Sequence, residues 1–466
     1  MAKIICFIGF FFYLGLLLYK YYSLGYSDWD LAFFSQAMWN LCHGHTYVSL
    51  FEINFFSNHA NLIALLLVPF YKIFPHPVTL LTLKLASFSV ASYILYLLTK
   101  EKLGQKSALI VLCLYWLCPA NIYSISYEFD FENLAPAFIM LTFYYYSKNR
   151  WMPFLISSIF LIIIKENMPL IIVAFGIHGW LTKSDKIRWG LVPTILGAVL
   201  FYGLAFIFVP LMGGHSLGQH PYSAHYSELN AGLWTHPLDS LRNILTKERL
   251  QWIFHLFQPL FLSLFSPSIL FLGLPIILQH FLSSSWQEHT LRYGYMLSIM
   301  PFIFLAFTAT LDNFKRRYSP GKSFLILLVF FVVNLAALAY QFNYIKFRYM
   351  ESKHPATAPC AWQLLKKVPP QSSVVATFRF LPELSRRPEL YSFHKIYDPA
   401  YQSETYSYSL PQNVNYALID FNDPWLLGNL DEHKQFVSMK IRNFLAQGPW
   451  KAKYAAAGIV LYERQK

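Results

Sequence analysis

Apolar runs of about twenty residues recur along this chain, separated by short clusters of Lys and Arg. A helix of that length crosses the roughly 30 Å hydrocarbon layer of a bilayer, where the backbone has to satisfy its own hydrogen bonds. Composition agrees with that reading: of 466 residues, 56% are hydrophobic, 19% aromatic and 13% charged, with a mean hydropathy of +0.37. The expected fold is mainly α, a polytopic membrane helical bundle, and not two or three soluble domains.

The net charge of +13 would suit nucleic acid if the basic residues formed one face or tail. They fall instead between apolar runs, the pattern of loop topogenesis, which argues against a nucleic-acid partner. Five cysteines show no metal-ligand spacing; Cys6, Cys113 and Cys118 lie in apolar runs, leaving Cys42 and Cys360 as the pair placed for a disulfide. Met1-Ala2-Lys3 ahead of Ile4 to Tyr22 resembles a signal peptide, but the run is too long and lacks a small-residue cleavage site, so it reads as an uncleaved first helix.

Eleven spans are expected, near 4–22, 79–99, 107–123, 133–147, 152–164, 168–182, 189–210, 250–266, 267–283, 293–311 and 323–342. A cytoplasmic N-terminus then puts Lys100/Lys102/Lys106, Lys148/Arg150, Lys183/Lys186/Arg188 and Lys315/Arg316/Arg317/Lys322 on the cytoplasmic side. The division of 250–283 into two helices at Ser266-Pro267-Ser268 follows from the same charge rule. The loops 23–78, 124–132, 211–249 and 284–292 become external, together with everything after about 343. That places the chain in a cell membrane, such as a bacterial inner membrane, with residues 1–342 as the membrane domain.

Residues 343–466 read as a small external α/β domain on the periplasmic side, because charge becomes frequent and no run is long enough to span. Ser373 to Thr377, Leu390 to Phe393 and Asn415 to Asp420 read as strands, Leu381 to Arg386 as a helical turn and Asp431 to Ala446 as a helix.

Four polar groups sit at helix ends on the expected external side, where ionisable residues carry most weight. Asp28 and Asp30 follow the first span; Asp30 precedes a helical pattern, so it reads either as an N-cap or as a carboxylate beside the apolar wall of Trp29 and Phe33. Such a wall raises a carboxyl pKa and suits general-base work or metal binding. Glu128, Asp130 and Glu132 form the next group, in which Glu128 and Asp130, two apart across an aromatic residue, read as either ordinary interface charges or supporting acids. Lys165-Glu166 lies in a tight hairpin, either as a self-neutralising turn or as a substrate contact. His289 and Arg292 share a helix face, where Arg292 suits a phosphate and a lipid headgroup alike. The external histidines, including His59, His215, His220, His225 and His236, show no zinc spacing. Asn58 to Phe74 reads as an interfacial helix lying on membrane lipids beside the cleft, with Pro69 inside it.

The stretches Asp30 to Leu41, Asn58-His59-Ala60-Asn61-Leu62, Lys165 to Leu170, His289 to Tyr293, Val374 to Thr377 and Leu384 to Arg387 resemble those of domain-of-unknown-function family 2079, over nearly the whole chain. Members of that family look like GT-C glycosyltransferases, whose donors are polyprenyl-phosphate sugars and whose first external loop carries an essential acid. The resemblance gives that position to Asp30, with Asp28 as its alternative. Where the family often has acid-Phe-His-Pro, this chain has Glu128-Phe129-Asp130-Phe131, a carboxylate in place of an imidazole. The implied function is transfer of a sugar from a lipid-linked donor to an acceptor on the external face, with inversion.

In that reaction Asp30 acts as base or, with Asp130, holds magnesium or manganese, metal-free operation being equally compatible with the residues. Glu128 or Asp130 supports it, and Lys165 and Arg292 neutralise the departing phosphate. Glu166, His289, His59 and Trp29 complete the expected substrate contacts. The rival reading is a transporter or flippase, which would place its charges near the bilayer midplane and show internal repeats.

Overall fold

A computed structural model describes residues 1–218, 220–226, 242–291, 293–342, 345–346, 355–397, 414–423, 431–446 and 448–465; the side chains of Asp28 and Trp29, and all of Arg292, lie outside the described residues. The protein is mainly α. Four described helices are long and apolar enough to cross a membrane, Ala2–Tyr22, Pro77–Leu103, Ile187–Gly213 and Pro320–Tyr340. A fifth is the pair Gln105–Leu117 and Pro119–Ser126, bent by 46°. The bend falls where Pro119 lacks an N–H and Cys118 turns extended at φ −67°, ψ 125°.

Local signals explain the ends of the longest span. Pro77 occupies the first turn, the His76 ring accepts the Val78 N–H, and Gly104 closes the helix at φ 86°, where a side chain would be strained. Lys100 and Lys102 lie in its last turn, where cations meet the negative end of the helix dipole. Pro320–Tyr340 turns Leu325 and Val332 outward, each more than 60% exposed, as lipid-facing residues would be.

Other expected spans form shorter helices, Ala135–Ser147, Trp151–Ile162, Pro169–Thr182 and Pro267–Leu282, with Met300–Arg317 closing the bundle. At about 1.5 Å per residue these helices of 12–16 residues reach about 18–24 Å, less than a hydrocarbon layer. The expected span at 250–266 is not a single helix. The structure has Lys247–Phe257 and then a 3₁₀ turn at Phe261–Phe265, interrupted at Gln258-Pro259 where the proline removes a backbone donor. The next helix does begin at Pro267. Ile63–Ile73 contains Pro69 and buries Ile63, Ala64 and Tyr71 while exposing Leu65, Leu66 and Phe70, the one-sided apolar exposure expected of an interfacial helix. Cys42 and Cys360, the pair whose position would allow a disulfide, are free thiols.

The four basic clusters meet at one end of the bundle. Lys315 Nζ donates to the Lys102 carbonyl at 2.8 Å, Lys102 lies 3.8 Å from Asp312, Lys148 pairs with Glu101, and Lys183 donates to the Tyr146 carbonyl and to Asn149. Lys84, on the same helix as Lys102, contacts the opposite end. At about 1.5 Å per residue the two ends are about 27 Å apart along that helix.

The C-terminal region carries a five-stranded sheet in the order Leu390–Ser392, Val374–Ala376, Tyr416–Asp420, Ile459–Arg464, Trp450–Ala456. The first three strands are parallel and the last two form a hairpin. Ala457 and Gly458, both at positive φ, make its two-residue turn. The first strand edge docks on the bundle: Ser49 Oγ donates to the Leu390 carbonyl and accepts its N–H, Gln36 donates to the Arg387 carbonyl, and Ser385 Oγ donates to Ser35. Leu381, Leu384 and Leu390 join the same buried cluster as Leu31 and Phe34. The sheet therefore packs directly on the segment that follows Asp30.

Candidate functional site

Residues 28–32 form a π-helical turn that runs into the helix Phe33–Cys42. Asp30 is inside this turn, so it does not N-cap the helix as its sequence context allows. The cap comes from Glu128, about a hundred residues away. Its buried carboxylate accepts the Ser27 N–H at 3.0 Å, the Ser27 hydroxyl at 2.7 Å, the Asp30 N–H at 3.2 Å and the Leu31 N–H at 2.8 Å. A carboxylate at the unsatisfied N–H groups of a helical turn is favoured by hydrogen bonding and by the helix dipole.

Asp130 is held in its own cap. It starts the 3₁₀ turn Phe131–Leu134, accepting the Glu132 N–H at 2.9 Å while the Asn133 side chain accepts the Asp130 N–H. Its other oxygen is 3.7 Å from Lys165 Nζ. Glu132, outside the expected site set, is the closer partner: it bonds Lys165 at 3.0 Å and accepts the Ser298 hydroxyl at 2.7 Å. Burial opposes charge on both, but the attraction between Lys165 and Glu132 wins. It holds the ammonium well above the usual lysine range and the carboxyl below the usual glutamate range.

Asp30 differs from Glu132 in the direction of its shift. The Tyr127 hydroxyl favours the charged form of the Asp30 carboxyl. Burial, with Glu128 and Asp130 adding like charge, pushes it well above the usual aspartate range against the pull of Tyr127 and Lys165. The expected set of Asp30, Glu128, Asp130 and Lys165 thus comes together at the end of the bundle opposite the basic clusters.

The matching family model is that of a predicted membrane protein family, DUF2079, and it covers residues 20–461. The chain belongs to the DUF2079 family. Comparison with curated proteins gives no match.

Elsewhere at this end of the DUF2079 chain, Glu166 gathers three segments. It accepts from the Ala60 N–H at 3.0 Å, meets His59 at 2.7 Å and lies 3.3 Å from His220. Burial works against its charge, but the two imidazoles hold its carboxyl well below the usual range. Glu288 makes a parallel arrangement with His280 at 2.7 Å, Ser283 at 2.8 Å and His225 at 3.5 Å. His289 contacts the His280 carbonyl at 2.8 Å and packs on Trp252, so it braces its own loop.

A metal fits this donor set poorly. Among the described residues no three His, Cys, Asp or Glu side chains form a ligand group, and Asp30 and Asp130 have Lys165 beside them as their cation.

Two buried lysines escaped the sequence reading. Lys84 donates to the Tyr127 and Glu128 carbonyls at 2.7 and 3.0 Å, and Lys20 donates to the Ser126 carbonyl at 2.8 Å. A cation inside the apolar run 79–99 was itself the available signal for Lys84.

Proposed function

We propose that this DUF2079 protein is a membrane glycosyltransferase of GT-C type that moves a sugar from a polyprenyl-phosphate donor to an acceptor at its polar end. In this reading that end is external, the basic end is cytoplasmic, and the shorter helices complete the membrane bundle of residues 1–342. The carrying observation is the difference between Asp30 and its neighbours. Glu128 and Asp130 engage backbone N–H groups and Glu132 engages Lys165, whereas the Asp30 carboxyl is raised in pKa by burial and like charge, with the Tyr127 hydroxyl favouring its charged form. That combination suits a general base.

In the proposed step the acceptor hydroxyl gives its proton to the Asp30 carboxylate as its oxygen bonds to the anomeric carbon. The bond from that carbon to the phosphate oxygen breaks and leaves its electron pair on polyprenyl phosphate. One in-line displacement inverts the anomeric centre. Lys165 supplies positive charge near the leaving group and Arg292 is assigned the same role; Glu128 positions the Asp30 turn and Asp130 tunes both neighbours. No step is assigned to a metal.

Purified protein reconstituted with a panel of polyprenyl-phosphate sugars tests this. Wild type should release polyprenyl phosphate and form a glycoside, and Asp30→Asn should lose about a hundredfold or more in rate. Unchanged turnover in Asp30→Asn removes Asp30 as the base. Movement of intact donor between leaflets without bond cleavage overturns the enzyme reading in favour of a flippase.

A further inference from the structure

Lys84 lies seven residues into the helix Pro77–Leu103 and its side chain is fully buried. An ammonium in that position is tolerated only with good hydrogen-bond partners. It has them in two consecutive carbonyls, those of Tyr127 at 2.7 Å and Glu128 at 3.0 Å. The side chains of these same two residues both act on Asp30. The Tyr127 hydroxyl favours the charged form of the Asp30 carboxyl, and Glu128 accepts the Asp30 and Leu31 N–H groups.

We propose that Lys84 is a positioning residue for Asp30: by fixing the backbone of Tyr127 and Glu128, it aims the hydroxyl and the carboxylate that hold the Asp30 turn. The reaction role of that positioning rests on the reading of Asp30 as the base.

Lys20 provides an internal control. It is also buried and holds the preceding carbonyl, that of Ser126, with its ammonium 4.4 Å from the Tyr26 ring centroid. The Ser126 hydroxyl donates to the Tyr123 carbonyl and not to Asp30. Loss of Lys20 therefore removes a similar ammonium without releasing either residue that holds Asp30.

The experiment follows the Asp30 carboxyl by ¹³C NMR in full-length protein labelled at aspartate, with the signal assigned by its disappearance in Asp30→Asn. Glu128, Asp130, Tyr127, Lys165 and Tyr295 also face Asp30 and stay unchanged in every variant compared. Lys84→Met should free Tyr127 and move the titration alkaline, raising the protonated-to-ionised ratio at fixed pH by about tenfold. Lys84→Arg, which keeps the charge and donors, should return most of that change, and Lys20→Met should produce a clearly smaller one.

Equal displacement by Lys20→Met and Lys84→Met would overturn the inference, as would no displacement in Lys84→Met. If Lys84→Met does not fold, Lys84→Gln takes its place: an alkaline displacement larger than that of Lys20→Met supports the positioning role, and an equal or absent displacement overturns it. Because the readout is the carboxyl itself, a protein without transferase activity would leave this result standing, and an active one would not rescue a negative result.

Discussion

Charge is arranged differently at the two ends of this bundle. At the basic end the Lys148 and Glu101 side chains are 31% and 58% exposed, and Arg316 reaches Asp312 from an exposed position. At the polar end Lys165 and Glu132 are 8% and 5% exposed, and Glu166 is enclosed by His59, His220 and the Ala60 N–H. Exposed pairs contribute little because water and headgroups solvate either partner alone. Buried ones are costly to break because the remaining partner has nowhere else to bond. The first arrangement is suited to orienting a chain in a membrane, and the second to holding side chains in fixed mutual positions.

The sharpest way to break the comparison is Glu132→Ala. It leaves Lys165 with Asp130 at 3.7 Å as its nearest carboxylate. The expected loss is about 3–5 kcal/mol in thermal unfolding in detergent; a change near zero would mean that the polar end is as solvated as the basic one. Glu128→Ala comes next. Removing the acceptor of four hydrogen bonds from residues 27–31 should cost about 2–3 kcal/mol and loosen the Asp30 turn, visible as faster hydrogen exchange of the Leu31 amide.

Asp30→Asn should act in the opposite direction, stabilising by less than either loss. The folded-state pKa of Asp30 is raised, so between the unfolded aspartate value and that raised value the folded state binds the extra proton. Stability therefore falls as pH rises through this window, and the penalty is fully present above it. The melting advantage of the variant should grow with pH and vanish in acid; an advantage independent of pH would point to packing instead. Smallest of all, Glu101→Ala at the basic end should change stability by less than about 1 kcal/mol, and less still in high salt.

What the sequence made legible was local. Tyr127 to Asn133, Lys165-Glu166 and the His59 segment each announced themselves as ionisable residues at the ends of apolar runs, and they do converge. The strands at 374, 390 and 416 fall within the segments that read as strands from the sequence. What stayed hidden depends on distant partners. Glu128 looks like a supporting acid until its bonds to residues 27–31 are visible, and Asp30 looks like a cap until Glu128 is found in that role. Residues 250–266 are apolar enough for a span, but Pro259 breaks the backbone ladder, which hydropathy does not register. The docking of Ser35, Gln36 and Ser49 on residues 385–390 has no sequence signature, since small polar residues on an apolar helix read equally well as packing.

A reactive Asp30 and a structural one differ most directly in the initial rate of sugar transfer by reconstituted Asp30→Asn, with its melting temperature checked in the same preparation. The expected rate is at or below about one hundredth of wild type, with a melting temperature at neutral pH no lower than wild type. A folded Asp30→Asn protein that transfers sugar at the wild-type rate would contradict a reactive Asp30.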